Sequence, residues 1–165
     1  MKRIFITLLL VLVGLIKPAD ADEDGAATYS KWRADVAAAV KQRDYQQAIQ
    51  LIRPKADRDN AEAEWLLGLM YDEGLGVPQD YGQALAWYRK AADQGNANAE
   101  NHLALMYNNG QGVPQDYRQA VAWYHKAADQ GNDAAEVNLG MMYYNGHGVP
   151  QDYGQALVWF RKAAD

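Results

Sequence analysis

The chain has 165 residues, a formal charge of −5 and no cysteine. The missing cysteine excludes disulfide staples, thiol catalysis, cysteine-based zinc sites and lipid attachment through an N-terminal cysteine. An acidic chain without a basic stripe excludes recognition of nucleic acid, which depends on clustered Lys and Arg, and disfavours anionic membrane surfaces.

Residues 1–21 have the layout of a secretory signal peptide: Lys2 and Arg3, an apolar run from Ile4 to Ile16, then Ala19-Asp20-Ala21. The run is shorter than the roughly 20 apolar residues of a membrane span. Cleavage after Ala21 is expected, with retention as an N-terminal anchor the alternative. Cleavage leaves 144 residues from Asp22 onward, and losing three basic residues and one acidic residue takes the charge from −5 to −7. Stable membrane insertion after cleavage is not expected. Periplasmic or secreted localisation follows.

Asp22 to Ala27 reads as a disordered lead. Residues 28–56 read as a divergent capping hairpin of two helices. Trp32, Val36 and Val40 at i, i+4, i+8 mark the first helix. Asp44-Tyr45 and Gln47-Ala48-Ile49 open the second, which is expected to end early at Pro54.

From there the chain repeats itself. Gly-Val-Pro-Gln-Asp-Tyr occurs at Gly76–Tyr81, Gly112–Tyr117 and Gly148–Tyr153, always 36 residues apart. A fixed period of this size marks a solenoid of stacked helix hairpins. Each unit opens with Asn60, Asn96 or Asn132 as N-cap of a first helix. That helix carries an apolar stripe such as Ala99, Leu103 and Tyr107, with small Gly68, Ala104 and Gly140 allowing close approach. Gly74, Gly110 and Gly146 end it. After the Val-Pro loop, Asp80, Asp116 and Asp152 precede Gln83, Gln119 and Gln155 in a capping-box pattern. These aspartates read as helix caps in preference to acid–base groups. The second helix carries Trp87, Trp123 and Trp159, which read as core in preference to a stacking platform for bases or sugars.

The run Ala-Glu-x-x-Leu-Gly-x-Met-Tyr, then Gly-x-Gly-Val-Pro-Gln-Asp-Tyr, then Ala-x-x-Trp-Tyr-x-Lys-Ala-Ala-Asp-Gln-Gly resembles the Sel-one-like repeat family, a relative of the tetratricopeptide repeat. The resemblance covers Ala61 to Asp165 closely and residues 28–56 loosely, with units at about 61–96, 97–132 and 133–165. It implies an all-α solenoid of antiparallel helix pairs in a right-handed superhelix. It implies a role as an adaptor for other proteins, with ligands on the concave face lined by first helices. Some secreted, cysteine-rich members have been described as penicillin-binding or penicillin-hydrolysing. With no cysteine, this chain belongs to a different branch.

Comparing the units separates fixed columns from free ones. The free columns fall on the first helix: Glu62/Asn98/Ala134, Trp65/Asn101/Val137, Leu66/His102/Asn138, Asp72/Asn108/Tyr144 and Glu73/Asn109/Asn145, with apolar Leu69/Leu105/Met141 between them. The spacing of 62, 65, 69, 72 and 73 places those columns on one side of a helix. That side is expected to be concave and to bind a peptide or protein segment, with Trp65 and Tyr144 as anchors. Solvation of an unconstrained face is the plainer reading. No metal or cofactor is expected. His102, His125 and His147 occupy three different repeat positions, and no nucleophile elbow or phosphate loop is present. The protein is therefore expected not to be an enzyme. The alternatives are an envelope enzyme acting on a β-lactam or cell-wall substrate, and a glycan- or peptidoglycan-binding module. The third unit has no polar capping helix after it, so self-association through that unit is a further expectation.

Overall fold

A computed structural model describes residues 23–164, with side chains from residue 27 onward. The expected signal segment lies outside the described residues. Among those residues there are eight helices and no strand. They are α1 (Glu23–Lys41), α2 (Tyr45–Ala56), α3 (Ala61–Glu73), α4 (Tyr81–Asp93), α5 (Ala97–Asn109), α6 (Tyr117–Asp129), α7 (Asp133–Asn145) and α8 (Tyr153–Lys162). Each helix packs on the one before it and the one after it. The result is an α/α solenoid: hairpins α3–α4, α5–α6 and α7–α8 stack in sequence behind the hairpin α1–α2.

The helix ends follow from the sequence. Asn60, Asn96 and Asn132 each accept a hydrogen bond at 2.9 Å from the backbone N–H three residues on, at Ala63, Ala99 and Ala135. Asp44, Asp80, Asp116 and Asp152 do the same for Gln47, Gln83, Gln119 and Gln155, at 2.9–3.1 Å. Each such cap contributes about 1 kcal/mol. The aspartates are thus caps, all of them on exposed loop ends. Gly74, Gly110 and Gly146 close the first helices in the left-handed conformation, and each N–H returns to the carbonyl of Met70, Met106 or Met142.

Two boundaries differ from expectation. Helix α1 begins at Glu23, so residues 23–27 are helical and not a disordered lead. Once the Trp32–Val36–Val40 stripe is packed, each residue added at the N-terminus gains one backbone bond at little further cost. Helix α2 runs through Pro54 to Ala56. Ile52 and Ala56 are fully buried on its inner side, while the proline ring faces solvent. That burial outweighs one missing N–H.

The core is a continuous apolar seam. One cluster runs from Trp32 on α1 to Met106 on α5; a second runs from Ala104 on α5 to Met142 on α7; Trp123 touches both. The small residues act as expected: a side chain at Gly68 would meet the Tyr88 ring at 2.6 Å. The tryptophan ladder is a partial correction. Trp87, Trp123 and Trp159 are half-buried at the edge of the core, and the adjacent Tyr88 and Tyr124 fill it. The ammonium groups of Lys90, Lys126 and Lys162 cover the ladder rings at 4.6, 4.0 and 5.0 Å from the centroids. An indole carries a negative face, so it serves as a lid under a cation better than as a plug in the centre.

Candidate functional site

The first-helix columns do not form one open surface. Trp65 is fully buried, Asn101 is 6 % exposed and Val137 is 44 % exposed, although all three hold one repeat position. The column points at the next hairpin. The Trp65 indole nitrogen lies 3.4 Å from His102 Nδ1, and Asn138 Nδ2 donates to Asn101 Oδ1 at 3.2 Å. Trp65 is therefore a stacking residue and not a docking anchor. No repeat sits over Val137 among the described residues, and its exposure follows.

Three other expected site residues are also inside. Glu62 is buried under α1, where Arg33 Nε lies 2.9 Å from its carboxylate and the Tyr29 hydroxyl donates to it. Burial pushes the Tyr29 hydroxyl well above the ordinary tyrosine range, with the Glu62 bond and charge adding to it. The capping hairpin thus locks onto the first repeat through a buried ion pair. Leu69 is buried in the main cluster, and Asn101 lies beneath α7. Sequence comparison could not separate these from surface positions, because a column facing the next hairpin varies as freely as one facing water.

The remaining residues all lie on the first helices. Asp72, Glu73, Asn98, Leu105 and Asn108 are half-buried, and Asn109, Val137, Met141, Tyr144 and Asn145 are exposed. Asn98 Oδ1 accepts from Asn132 Nδ2 at 2.9 Å, and Asn108 Nδ2 donates to Asn109 Oδ1 at 2.9 Å. Each amide keeps further donor and acceptor capacity. Asp72 accepts from the buried Tyr88 hydroxyl at 3.1 Å, and desolvation raises its pKa against the lowering effect of that bond. Tyr144 lies against Tyr153, with ring centroids 5.2 Å apart. The surface is mixed: apolar at Leu105 and Met141, amide-rich around them, acidic at Asp72 and Glu73.

Two further polar features lie beside these columns. Buried Glu64 and Glu100 accept hydrogen bonds from Gln94 Nε2 and Gln130 Nε2, at 2.5 and 2.7 Å, so each tie closes its own hairpin. In the third hairpin Lys162 Nζ takes that role, 3.0 Å from Glu136. Desolvation raises the Glu64 and Glu100 carboxyls, opposed by the lysine charge and glutamine bond nearby. The signal was present, since both columns recur every 36 residues, but it reads as motif rather than as a tie. The second feature is His102. Its Nδ1–H donates to the Asn98 carbonyl oxygen at 2.7 Å, its ring lies 5.0 Å from that of Tyr88, and burial pulls its pKa below the ordinary histidine value. The three histidines stay apart, as their repeat positions imply, each against its own tyrosine or tryptophan. No group of acidic or histidine side chains suited to a metal ion occurs among the described residues.

A Sel1 repeat model matches residues 61–96, 97–132 and 133–165. The chain belongs to the Sel1 repeat family. Solved structures agree. The protective antigen c5321 of uropathogenic Escherichia coli, which displays an SLR fold, is 43 % identical with a TM-score of 0.70. That match covers 73 % of this chain and 26 % of the antigen. A Sel1 repeat protein from Oxalobacter formigenes is 38 % identical with a TM-score of 0.72, over 78 % of this chain and 53 % of that one. The cysteine-rich protein B of Helicobacter pylori is 25 % identical with a TM-score of 0.58, over 73 % and 86 %. This chain thus spans about a quarter and about half of the first two. None of the curated proteins matches it by sequence. Sel1 repeat proteins are generally protein–protein interaction scaffolds, typically without catalysis. No helix among the described residues is long and apolar enough to cross a membrane.

Proposed function

We propose that this Sel1 repeat protein is an exported adaptor that holds an extended segment of another protein against the first helices of its second and third repeats. The observation that carries the reading is the surface of α5 and α7. Leu105 and Met141 supply apolar contact, and Asn98, Asn108, Asn109 and Asn145 surround them with amides. Amide side chains offer both donors and acceptors, which suits the backbone of an extended peptide. Asp72 and Glu73 at the first-repeat end favour a segment that is neutral or basic there. The concave placement of this face is part of the same reading, as is export, which rests on the layout of residues 1–21.

The test is site-specific photocrosslinking in the periplasm. A photoreactive residue at Asn109 or Asn145 is expected to trap one and the same protein, and a probe at Gln119, on the exposed side of α6, is expected to trap none. Equal crosslinking from all three positions removes the docking face. The mass of the exported protein is expected to correspond to a chain starting at Asp22. A full-length chain confined to the cytoplasm removes the export reading.

A further inference from the structure

The column Glu73/Asn109/Asn145 ends the first helix of each repeat, and a glycine follows it every time: Gly74, Gly110 and Gly146. In the first repeat that position already carries a carboxylate. In the other two it carries an exposed asparagine, directly before a residue without a side chain. The backbone nitrogen of a following glycine can close on the asparagine side chain, because no Cβ stands in its way. The amide proton goes to a solvent base, the nitrogen bonds to Cγ, and the Cγ–Nδ2 bond breaks with release of ammonia. Water then opens the cyclic imide to an aspartate or an isoaspartate. The step needs no oxidant and no enzyme. Every other asparagine is followed by a residue with a side chain, as Asn98 is by Ala99 and Asn138 by Leu139.

The fold holds this reaction shut in the same way at both places. The Gly110 and Gln111 N–H groups both donate to the Met106 carbonyl, and those of Gly146 and His147 both donate to the Met142 carbonyl. A glutamine from the Val-Pro loop clamps each stop. Gln115 Nε2 donates to the Asn108 carbonyl at 2.7 Å, and Gln151 Nε2 donates to that of Tyr144 at 2.8 Å. The same two residues press on the glycines. An added Cβ at Gly110 would stand 3.3 Å from the Gln115 nitrogen, and one at Gly146 would stand 3.1 Å from the Gln151 Cβ. In the second repeat the reacting amide is also polarised. Asn108 Nδ2 donates at 2.9 Å to Asn109 Oδ1, the oxygen that takes up negative charge when Cγ is attacked. Helix ends open locally at far lower cost than the fold as a whole. The rate is therefore set by loss of the glutamine clamp and of the two backbone bonds behind it.

We infer that Asn109 and Asn145 are self-modification sites, which convert to carboxylates without an enzyme at a rate governed by the Gln115 and Gln151 clamps. Conversion places a carboxylate at this position in all three repeats, and it spreads the acidity of Asp72 and Glu73 along the first helices. A negative charge at a helix C-terminus opposes the macrodipole, so the converted stops are looser than the original ones. The inference stands on the chemistry of the two stops and does not rest on the adaptor reading.

The test incubates the purified protein in mildly alkaline buffer and follows the peptides spanning Asn109 and Asn145 by mass spectrometry, with isoaspartate counted by enzymatic methylation. Carboxyl forms are expected at these two positions ahead of every other asparagine. Gln115→Ala is expected to speed conversion of Asn109 severalfold and to leave Asn145 unchanged, and Gln151→Ala is expected to do the reverse. Gln115 and Gln151 are exposed, so both variants are expected to keep the wild-type helix content, which circular dichroism checks. Conversion at Asn98 or Asn138 as fast as at Asn109 removes the assignment of the sites. Acceleration of both asparagines by one glutamine variant, or of neither by either variant, overturns the clamp. A folded chain that never converts, beside a urea-unfolded chain that does, shows stops that stay closed and overturns the inference.

Discussion

Trp65 and Val137 hold one position of the repeat and have opposite environments. Trp65 sits under α5 with its indole nitrogen 3.4 Å from His102 Nδ1, and Val137 has no described helix over it. The difference comes from the neighbouring hairpin and not from the residue's own helix. Trp65→Ala is expected to cost about 3–5 kcal/mol, because it empties a large buried volume and removes one of the two rings packed on His102. Val137→Ala is expected to cost less than about 1 kcal/mol, as exposed substitutions generally do. Urea denaturation of both variants checks this. Comparable losses would mean that α5 does not cover Trp65 in solution. The same pair shows a limit of reading a repeat by its variable columns. Variation separates what the repeat requires from what it tolerates. It does not separate water from a neighbour whose own side chains vary in step, as Asn101 and Asn138 do across the next junction.

At the scale of the element, most of the architecture is written in short local signals. The asparagine and aspartate caps, the glycine stops and the Val-Pro loop each appear in the sequence, and the caps and stops have their expected partners, except that the Asp80, Asp116 and Asp152 N–H groups donate to the Tyr71, Tyr107 and Tyr143 carbonyls and not to the glutamines of a capping box. These are contacts within three or four residues, so the chain states them directly. What the sequence conceals is contact at a separation of about 30 to 37 residues: Glu62 with Arg33, Glu64 with Gln94, Trp65 with His102. The loop glycines belong to both classes. Gly112 and Gly131 both have positive φ, at 69° and 78°, but only Gly112 is pressed against a neighbour. An added Cβ there would stand 2.7 Å from the Tyr81 carbonyl oxygen, and one at Gly131 would have nothing within 4 Å. Gly131→Ala is expected to carry only the left-handed strain of about 1–2 kcal/mol. Gly112→Ala adds overpacking of about 1–3 kcal/mol, because the loop has to lift from the preceding hairpin. The difference in urea midpoint between the two variants measures the junction itself. Equal midpoints would show that the loop does not rest on Tyr81.

At the scale of the molecule, burial falls along the chain. Helices α3 and α5 lie between hairpins on both sides, and α3 is buried from Glu62 through Met70. Helix α8 has one buried residue, Ala156, because a hairpin covers it on one side only. In a solenoid the stability of each unit is its own plus that of its junctions, so a unit with one junction opens before a unit with two. Hydrogen exchange is therefore expected to be slowest in α3, α4 and α5, intermediate in α6 and α7, and fastest in α8. The N-terminal side should not fray in the same way, since the Arg33–Glu62 pair and the Tyr29 hydroxyl fasten α1 to α3 at a buried point. Uniform protection across all the repeat helices would mean that the solenoid opens as one cooperative unit, and that burial of the first-repeat columns is shared with the third by coupling the static contacts do not contain. A graded profile places the loosest helix on the same face that leaves Tyr153, Leu157 and Arg161 to solvent.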